Sequence, residues 1–188
     1  MDDANEVRQF WFSHSLKEWF SPALDAEIRE RFAGLTARAA GGELDHWANS
    51  PRRRLALVLL LDQFPRNLYR GTAKAFAQDA EALRWTLTGM QSGADAALDP
   101  LERMFFLMPL QHAESAAAQE ESIAAYRRLA EDAPEDQRET LEKAFESAQA
   151  HHAIIERFGR FPHRNAALGR ASTQEEAAFI AQTPDFGQ

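Results

Sequence analysis

The sequence predicts an all-α protein of about seven to nine helices, stacked as antiparallel helical hairpins. Apolar residues recur at helical spacing in most segments, helix start and stop signals separate these segments, and no segment has a convincing strand pattern. The predicted connections are short, which favours antiparallel neighbours. No linker rich in Pro, Gly or Ser divides the chain, so we expect a single domain over residues 1–188, with a frayed tail at 182–188.

Pro and Gly delimit the first predicted helices. A helix near the N-terminus carries apolar residues on one face, at Val7, Phe10 and Trp11. Ser21-Pro22 begins the next helix, because the N–H that Pro lacks would have no partner there, and Gly41-Gly42 ends it. Ser50-Pro51 begins a third helix, which we expect to end at Pro65. Its apolar run, Leu55 to Leu61, predicts a place at the centre of the fold.

The later helices follow similar signals. Thr72 is expected to cap a fourth helix, and Asp99-Pro100 begins another that should be interrupted at Pro109. The run Ala116-Ala117-Ala118 marks the early part of the following helix. A long helix with an apolar stripe is expected to start at Pro134 and to end at Gly159. The last helix follows a capping box, Thr173-Gln174-Glu175-Glu176.

Composition excludes several classes of protein. The formal net charge of -8 disfavours long-range attraction to nucleic acid or to an anionic membrane surface. The absence of cysteine excludes disulfides, thiolate chemistry and cysteine-based metal sites. The acidic start, Met1-Asp2-Asp3, lacks the pattern of a secretory signal, and the longest apolar run is far shorter than the about 20 residues of a membrane-spanning helix. We therefore expect a cytoplasmic protein, and the sequence predicts no cofactor.

An internal echo is the most informative feature of the sequence. Residues 63–72 (QFPRNLYRGT) and residues 160–173 (RFPHRNAALGRAST) both contain Phe-Pro, Arg-Asn, a second Arg and a Ser or Thr before a predicted helix. We call these the first and the second motif turn. In each, Pro should end the preceding helix, while Phe64 and Phe161 should anchor the turn in the core. We expect the two turns to line one shared groove.

Arginine and Asn side chains in the motif turns are candidate ligand contacts, because the guanidinium group suits planar anions such as carboxylate and phosphate. The candidates are Arg66, Asn67, Arg70, Arg160, Arg164, Asn165 and Arg170. Residues 151–170 also carry four arginines against one glutamate, a formal +3, which favours an anionic ligand. Two other interpretations stay open. The echo could record duplication of a helical hairpin, or the arginines could be architectural, in which case losing Arg66 or Arg164 costs about 3–5 kcal/mol.

Two histidines and one carboxylate are the candidates for acid–base chemistry. His163 and His112 are favoured because the ordinary pKa of histidine lies near neutrality, and Asp62 lies just before the first motif turn. An ion pair of Asp62 with Arg66 or Arg160 is the structural alternative. His112, Glu114 and His152 are weak candidates for a metal site, because they fit no ligand motif, so we predict no metal. His152 falls on an apolar stripe and is expected in the core.

Four blocks of the sequence resemble the bacterial domain of unknown function 924 family. They are Phe10-Trp11-Phe12, residues 61–67 with Arg70 and Phe76, residues 109–114, and residues 158–165 with 168–170 and Ser172-Thr173. The resemblance implies an all-α superhelix similar to tetratricopeptide-repeat folds, but it supplies no activity and no catalytic residue. The family pattern has a serine where this chain has Ala113, so chemistry that needed that serine would be lost here.

The sequence leaves three functions open. The first is binding, with or without turnover, of a small anionic metabolite in a groove lined by the two motif turns. The second is a helical adaptor that holds an acidic peptide or protein on its concave face. The third gives the motif residues a purely structural role. The sequence does not decide whether the protein is an enzyme, and a homo-oligomer is compatible with it.

Overall fold

The computed structural model describes residues 2–19 and 21–183, and regular structure in that part of the chain is helical throughout, without strands. The α-helices are α1 (Asp3–Phe12), α2 (Leu16–Trp19), α3 (Pro22–Ala40), α4 (Pro51–Val58), α5 (Phe64–Leu68), α6 (Asp79–Gln91), α7 (Pro100–His112), α8 (Ala116–Glu131), α9 (Arg138–Phe158) and α10 (Gln174–Gln182). Short 3₁₀ helices lie at Asp45–Asn49, Ala73–Phe76, Asp95–Ala97 and Pro162–Arg164. A π-helical turn, Leu59–Gln63, joins α4 to α5 without a break.

The all-α prediction is confirmed. If α4 and α5 count as one helix and the four-residue α2 is set aside, the described residues form eight helices, within the predicted range. The tetratricopeptide-like superhelix and the single domain stay predictions. Of the predicted frayed tail, Gln182 is the last residue of α10 and Thr183 follows it, while residues 184–188 lie outside the described part of the chain. No helix among the described residues is long and apolar enough to cross a membrane.

Several helix boundaries lie where local sequence signals predict them. The hydroxyl of Ser21 accepts a hydrogen bond from the backbone of α3, and Asp99 and Thr173 each form a complete capping box. Each cap supplies a partner to an N–H group that the helix itself leaves unpaired, a contribution of about 1 kcal/mol. Gly159 ends α9 with a φ of 68°, a left-handed conformation that favours glycine.

The core surrounds the predicted apolar run. Every residue from Leu55 to Leu61 is fully buried, because α1, α6 and α7 pack against α4, while α3, α6 and α7 pack against its π turn. Phe64 packs within an aromatic cluster with Phe10 and Trp11, so it anchors the first motif turn as predicted. Phe161 is also fully buried, in a smaller cluster that links the end of α9 to α10. Both motif turns are therefore fixed to the body of the protein.

Pro65 does not end its helix, and that prediction was wrong. The π turn shifts the backbone hydrogen bonds by one residue and widens the helix just before the proline ring, so the chain continues helically to Leu68. The carbonyl of Pro65 accepts a hydrogen bond from the backbone of Tyr69. In consequence Asp62 and Arg66 lie one turn apart on a single helical run, and Arg70 lies in the turn that follows it.

Pro109 does not interrupt its helix either, since α7 continues to His112. The missing N–H of Pro109 weakens this part of the backbone ladder, and side chains from neighbouring helices bind it. The hydroxyl of Thr86 donates to the carbonyl of Phe106 (2.9 Å), and the hydroxyl of Tyr126 donates to the carbonyl of Met104 (2.7 Å). Packing contacts therefore override the local signal, and they carry α7 as far as His112.

Two predicted helix starts were also wrong. Thr72 precedes the short 3₁₀ helix Ala73–Phe76, and α6 begins only at Asp79. Residues 134–137 form a turn, so α9 begins at Arg138 rather than at Pro134. The first of these differences matters for the site, because it places the Asp79 carboxylate at the start of a helix beside the first motif turn.

Candidate functional site

A cavity of about 250 Å³ lies where the two motif turns meet. The first motif turn contributes Arg66, Asn67 and Arg70 to its wall, and the second contributes His163 and Arg164. Side chains of α7 and α9 form much of the remaining wall. The expectation that the two turns line one groove therefore agrees with the geometry. The cavity does not include every residue proposed from the sequence, and the role of each depends on its contacts.

Arg66 is held by two carboxylates. Its two terminal nitrogens each donate to one oxygen of Asp79, both at 3.0 Å, and Nη1 also donates to the backbone carbonyl of Asp62 at 2.5 Å. The same nitrogen lies 3.2 Å from the Asp62 carboxylate. Burial alone would lower the pKa of Arg66, but Asp62 and Asp79 together raise it above its ordinary value. The folded protein therefore stabilises the charge on Arg66, and this residue fits an architectural role.

Arg164 has a different environment. Its side chain is 7% exposed, and its guanidinium lies 4.6 Å from the ring centres of both Phe76 and Phe161. Nη1 donates to Asp79 at 3.0 Å, and the described residues offer no other hydrogen bond, although Nε is buried. Burial lowers the pKa of Arg164 to about 10, because Asp79, which also binds Arg66, only partly offsets the loss of water. Arg164 is thus a poorly compensated buried cation.

Arg70 and Asn67 share a third carboxylate, Asp25, on α3. Arg70 donates to both of its oxygens, at 2.9 and 3.0 Å, and the Asn67 amide donates to one of them at 2.9 Å. These two residues also line a more open groove of about 540 Å³, together with Arg29 and Lys74. Asn67 and Arg70 therefore border both the cavity and this outer groove.

Asp62 and His112 form a close pair at the cavity wall. His112 Nδ1 lies 2.7 and 3.0 Å from the two carboxylate oxygens of Asp62, whose side chain is fully buried. Burial would raise the pKa of Asp62, but Arg66 and His112 bring it well below its ordinary value. Burial and the charge of Arg66 lower the pKa of His112. At pH 7 Asp62 is therefore ionised and can only accept, so Nδ1 carries the proton of a neutral His112.

Two further histidines line the same cavity. Burial lowers the pKa of His151 to about 3 and that of His163 to about 4. The ring centre of His151 lies 6.2 Å from that of His112, and both His151 and His163 contact the ring of Phe161. His152, predicted in the core, is half-buried and does not line the cavity. The neighbouring His151 lines it instead, so the cavity presents three neutral imidazoles at pH 7.

Four residues proposed for ligand or metal contacts hold the second motif turn in place instead of lining the cavity. Arg160 donates to both oxygens of Glu176, at 2.7 and 2.9 Å. Asn165 donates to Ser172 at 3.0 Å, and its oxygen accepts from Arg170 at 3.0 Å. Glu114 accepts from the backbone of Phe161 (2.8 Å) and from Arg170 (2.6 Å). Arg160, Asn165, Arg170 and Glu114 therefore form a network behind the cavity.

The positive charge predicted for residues 151–170 is neutralised in the fold. Each of its four arginines is paired with a carboxylate: Arg157 with Glu175, Arg160 with Glu176, Arg164 with Asp79, and Arg170 with Glu114. The local +3 therefore does not by itself attract an anion, and that part of the sequence argument was wrong. Among the described residues no group of histidine and carboxylate side chains could hold a metal ion.

Asp79, Asp25 and His151 were not predicted as site residues from the sequence. Asp79 and Asp25 each bind two residues of the motif turns, yet they lie outside both turns in the sequence. A signal for Asp79 exists in hindsight, since an acidic residue at a helix start so close to the first motif turn is a natural partner for its arginines. Nothing comparable marks Asp25 or His151.

Comparison with known proteins gives a consistent result. Residues 7–184 match the model of a family described as a bacterial protein of unknown function (DUF924). A solved structure of a protein of unknown function from Agrobacterium tumefaciens is similar, with a TM-score of 0.85 and 36% sequence identity over 95% of this chain and 97% of that chain. A search of curated proteins returned no significant match. The resemblance found in the sequence blocks is confirmed.

Proposed function

The chain belongs to the DUF924 family of bacterial proteins of unknown function, and we propose that its cavity binds a small anionic metabolite through Arg164. The observation that carries the proposal is the state of Arg164: a guanidinium that is 7% exposed, with one hydrogen bond to a carboxylate it shares with Arg66. A buried cation with unused donors is costly to the folded protein. An anion or another strong acceptor beside it would remove that cost.

The size and lining of the cavity support a small ligand. At about 250 Å³ it lies just below the range of roughly 300–1,000 Å³ that is typical of pockets for drug-sized molecules. Trp19 and Phe76 supply apolar wall, while Arg164 and the imidazoles supply convergent polar groups. A carboxylate or phosphate oxygen suits the planar donors of arginine. The adaptor alternative stays a prediction, although a cavity of this size favours a small molecule over a peptide.

The motif residues divide into two groups under this proposal. Arg164 binds the ligand, with His112 and His163 close to it in the cavity wall, whereas Arg66, Arg70 and Asn67 are held by Asp62, Asp79 and Asp25 and shape that wall. The purely structural alternative therefore fits part of the motif. We also propose a cytoplasmic location, which the lack of cysteine supports.

A thermal-shift screen with matched variants tests the proposal. Wild type, Arg164→Met and Arg157→Met are unfolded in the presence of a panel of small carboxylates and phosphates at fixed ionic strength. Arg157 belongs to the same basic segment but forms an exposed pair with Glu175 outside the cavity, so it controls for general loss of positive charge. We expect at least one anion to raise the midpoint of wild type and of Arg157→Met but not of Arg164→Met. No shift with any anion, or equal shifts in all three proteins, would overturn the proposal.

A further inference from the structure

His112 has the arrangement of a general base. Asp62 accepts its Nδ1 proton at 2.7 Å, and this fixes both the orientation of the ring and the tautomer in which Nε2 carries a lone pair. The side chain is 17% exposed and lines the cavity, and within the described chain Nε2 has no hydrogen-bond partner. The hydrogen bonds of the ring are therefore those to Asp62, which orient it, and Nε2 remains available to a ligand or a water molecule in the cavity.

No side chain next to His112 supplies a nucleophile. Ser147 carries the one hydroxyl among the described residues that line the cavity. Its oxygen donates to the side chain of Gln111 (3.2 Å) and lies 3.5 Å from His151, with no contact to His112. The chain contains no cysteine. A base without a partner hydroxyl or thiol therefore acts directly on water or on the ligand.

We propose that His112 is the general base of a hydrolytic reaction in which water attacks a small carboxylic ester bound in the cavity, with Asp62 as the positioning residue. Nε2 takes one proton from water, and the water oxygen forms a bond to the ester carbonyl carbon. The carbon–oxygen bond to the alcohol breaks, and the departing oxygen takes the proton back from Nε2. The products are a carboxylic acid and an alcohol, and neither an oxidant nor a cofactor is consumed.

The surroundings of His112 suit this cycle. While it holds the proton, the imidazolium lies beside the ionised Asp62, which it needs as a counter-charge. Arg66, 3.2 Å from the same carboxylate, opposes the extra charge and favours prompt return of the proton. Asp62 lies in the π-helical turn Leu59–Gln63, and such turns are frequent at functional sites. Within this turn the Asp62 carboxylate lies 2.7 Å from the imidazole of His112, the last residue of α7.

The substrate class rests in one respect on the proposed function: a natural ester would carry an anionic group for Arg164. Two chromogenic probes separate the claims. Hydrolysis of p-nitrophenyl acetate, which is neutral, should depend on His112. Hydrolysis of mono-p-nitrophenyl succinate, which carries a carboxylate, should depend on both, with Arg164→Met raising KM and His112→Gln lowering kcat.

The decisive comparison uses His112→Gln and a matched control, His46→Gln. His46 is exposed and does not line the cavity, and its Nδ1 lies 3.2 Å from the backbone carbonyl of Glu43. We expect His112→Gln to reduce kcat for p-nitrophenyl acetate by about 100-fold, the lower end for a general base, and His46→Gln to leave it unchanged. The wild-type rate should also fall in D₂O, as proton transfer to Nε2 requires. Equal rates in both variants, or no turnover above free imidazole in wild type, would overturn the proposal.

A tautomer measurement guards against misfolded variants. Nitrogen-15 NMR of wild type should show His112 neutral at pH 7 with the proton on Nδ1, and Asp62→Asn should reduce that preference together with kcat. Finding the proton on Nε2 in wild type would contradict the proposal without any variant. If anions bind at Arg164 while His112→Gln hydrolyses both probes at the wild-type rate, the hydrolytic inference fails and the proposed function stands. If hydrolysis depends on His112 but no anion binds, the proposed function fails and the hydrolytic inference stands.

Discussion

Replacing Arg66 and Arg164 in turn by Met should have unequal effects on stability, although both side chains bind Asp79. Loss of Arg66 leaves the fully buried Asp62 without its arginine and takes from Asp79 the two hydrogen bonds of Arg66. Breaking a buried pair in this way costs about 3–5 kcal/mol. After loss of Arg164, by contrast, Asp79 keeps both hydrogen bonds from Arg66.

The cost of losing Arg164 follows from its environment. A fall in its pKa from 12.5 to about 10 corresponds to roughly 3 kcal/mol by which the folded protein disfavours the charged guanidinium. Its two ring contacts, with Phe76 and Phe161, return about 0.5–2 kcal/mol each. Met preserves most of the packing against these rings. We therefore expect Arg164→Met to lie within about 1 kcal/mol of wild type, or to be more stable.

Urea unfolding followed by tryptophan fluorescence measures both variants. Arg66→Met should lower the midpoint by roughly 1–2 M, whereas Arg164→Met should not lower it measurably. Arg157→Met, which breaks only an exposed pair with Glu175, serves as the surface control and should match wild type. If Arg164→Met loses as much stability as Arg66→Met, then Arg164 is architectural, and the reasoning that assigns it to a ligand is refuted.

Three further predictions concern the surroundings of the site. The pKa values of His151 (about 3) and His163 (about 4) lie below the ordinary 6.5, so the unfolded chain binds protons first. The free energy of unfolding should therefore fall as the pH drops from about 6.5 towards 4, by up to about 2 kcal/mol per histidine at pH 5. A variant with Gln at both positions should lose less stability over this pH range, and a loss equal to that of wild type would contradict the prediction. Glu114→Gln should destabilise the protein by about 1–3 kcal/mol and speed hydrogen exchange at the Phe161 amide it binds; unchanged exchange would exclude that anchoring role. Gly89→Ala should lower the free energy of unfolding by about 1–3 kcal/mol, since the added Cβ would lie 2.5 Å from the Phe106 ring. Gly34→Ala, with open space around it, should stabilise α3 by about 0.5–1 kcal/mol. Equal melting temperatures for the two variants would refute this prediction.

Helix caps and core positions could be predicted from the sequence because both depend on neighbouring residues. Ser21, Asp99 and Thr173 cap the helices that follow them, and the apolar run from Leu55 to Leu61 is buried throughout. These features require only a hydroxyl or carboxylate beside free N–H groups, or an apolar surface on every side of a helix. Neither depends on where distant parts of the chain lie.

The two prolines were mispredicted because distant contacts override their local effect. A π turn accommodates Pro65, and hydroxyl groups from α6 and α8 bind the backbone before Pro109. The proline penalty of about 3 kcal/mol is comparable to what a few buried contacts contribute, so the sequence near the proline does not decide the outcome. The consequence concerns the candidate site, since α7 continues past Pro109 to His112, and the π turn that accommodates Pro65 contains Asp62.

The site was predictable in its position but not in its electrostatics. From the repeat of Phe-Pro and Arg-Asn in two distant segments we expected Arg66 and Arg164 in one groove, and both residues line the cavity. Their shared partner Asp79 lies 85 positions before Arg164 in the chain, so local charge counting could not include it. Carboxylates outside residues 151–170 likewise pair with each of the four arginines of that segment. Arg164 differs because it is buried and shares its carboxylate with Arg66, and only the folded structure shows both features.

A crystal structure with the anion that gives the largest thermal shift would show directly where the ligand binds. We expect electron density for the anion inside the cavity, within hydrogen-bond distance of Arg164, and an imidazole of His112 still bound to Asp62 through Nδ1. Density at the outer groove beside Arg29 and Lys74, with the cavity occupied by water alone, would refute binding at Arg164.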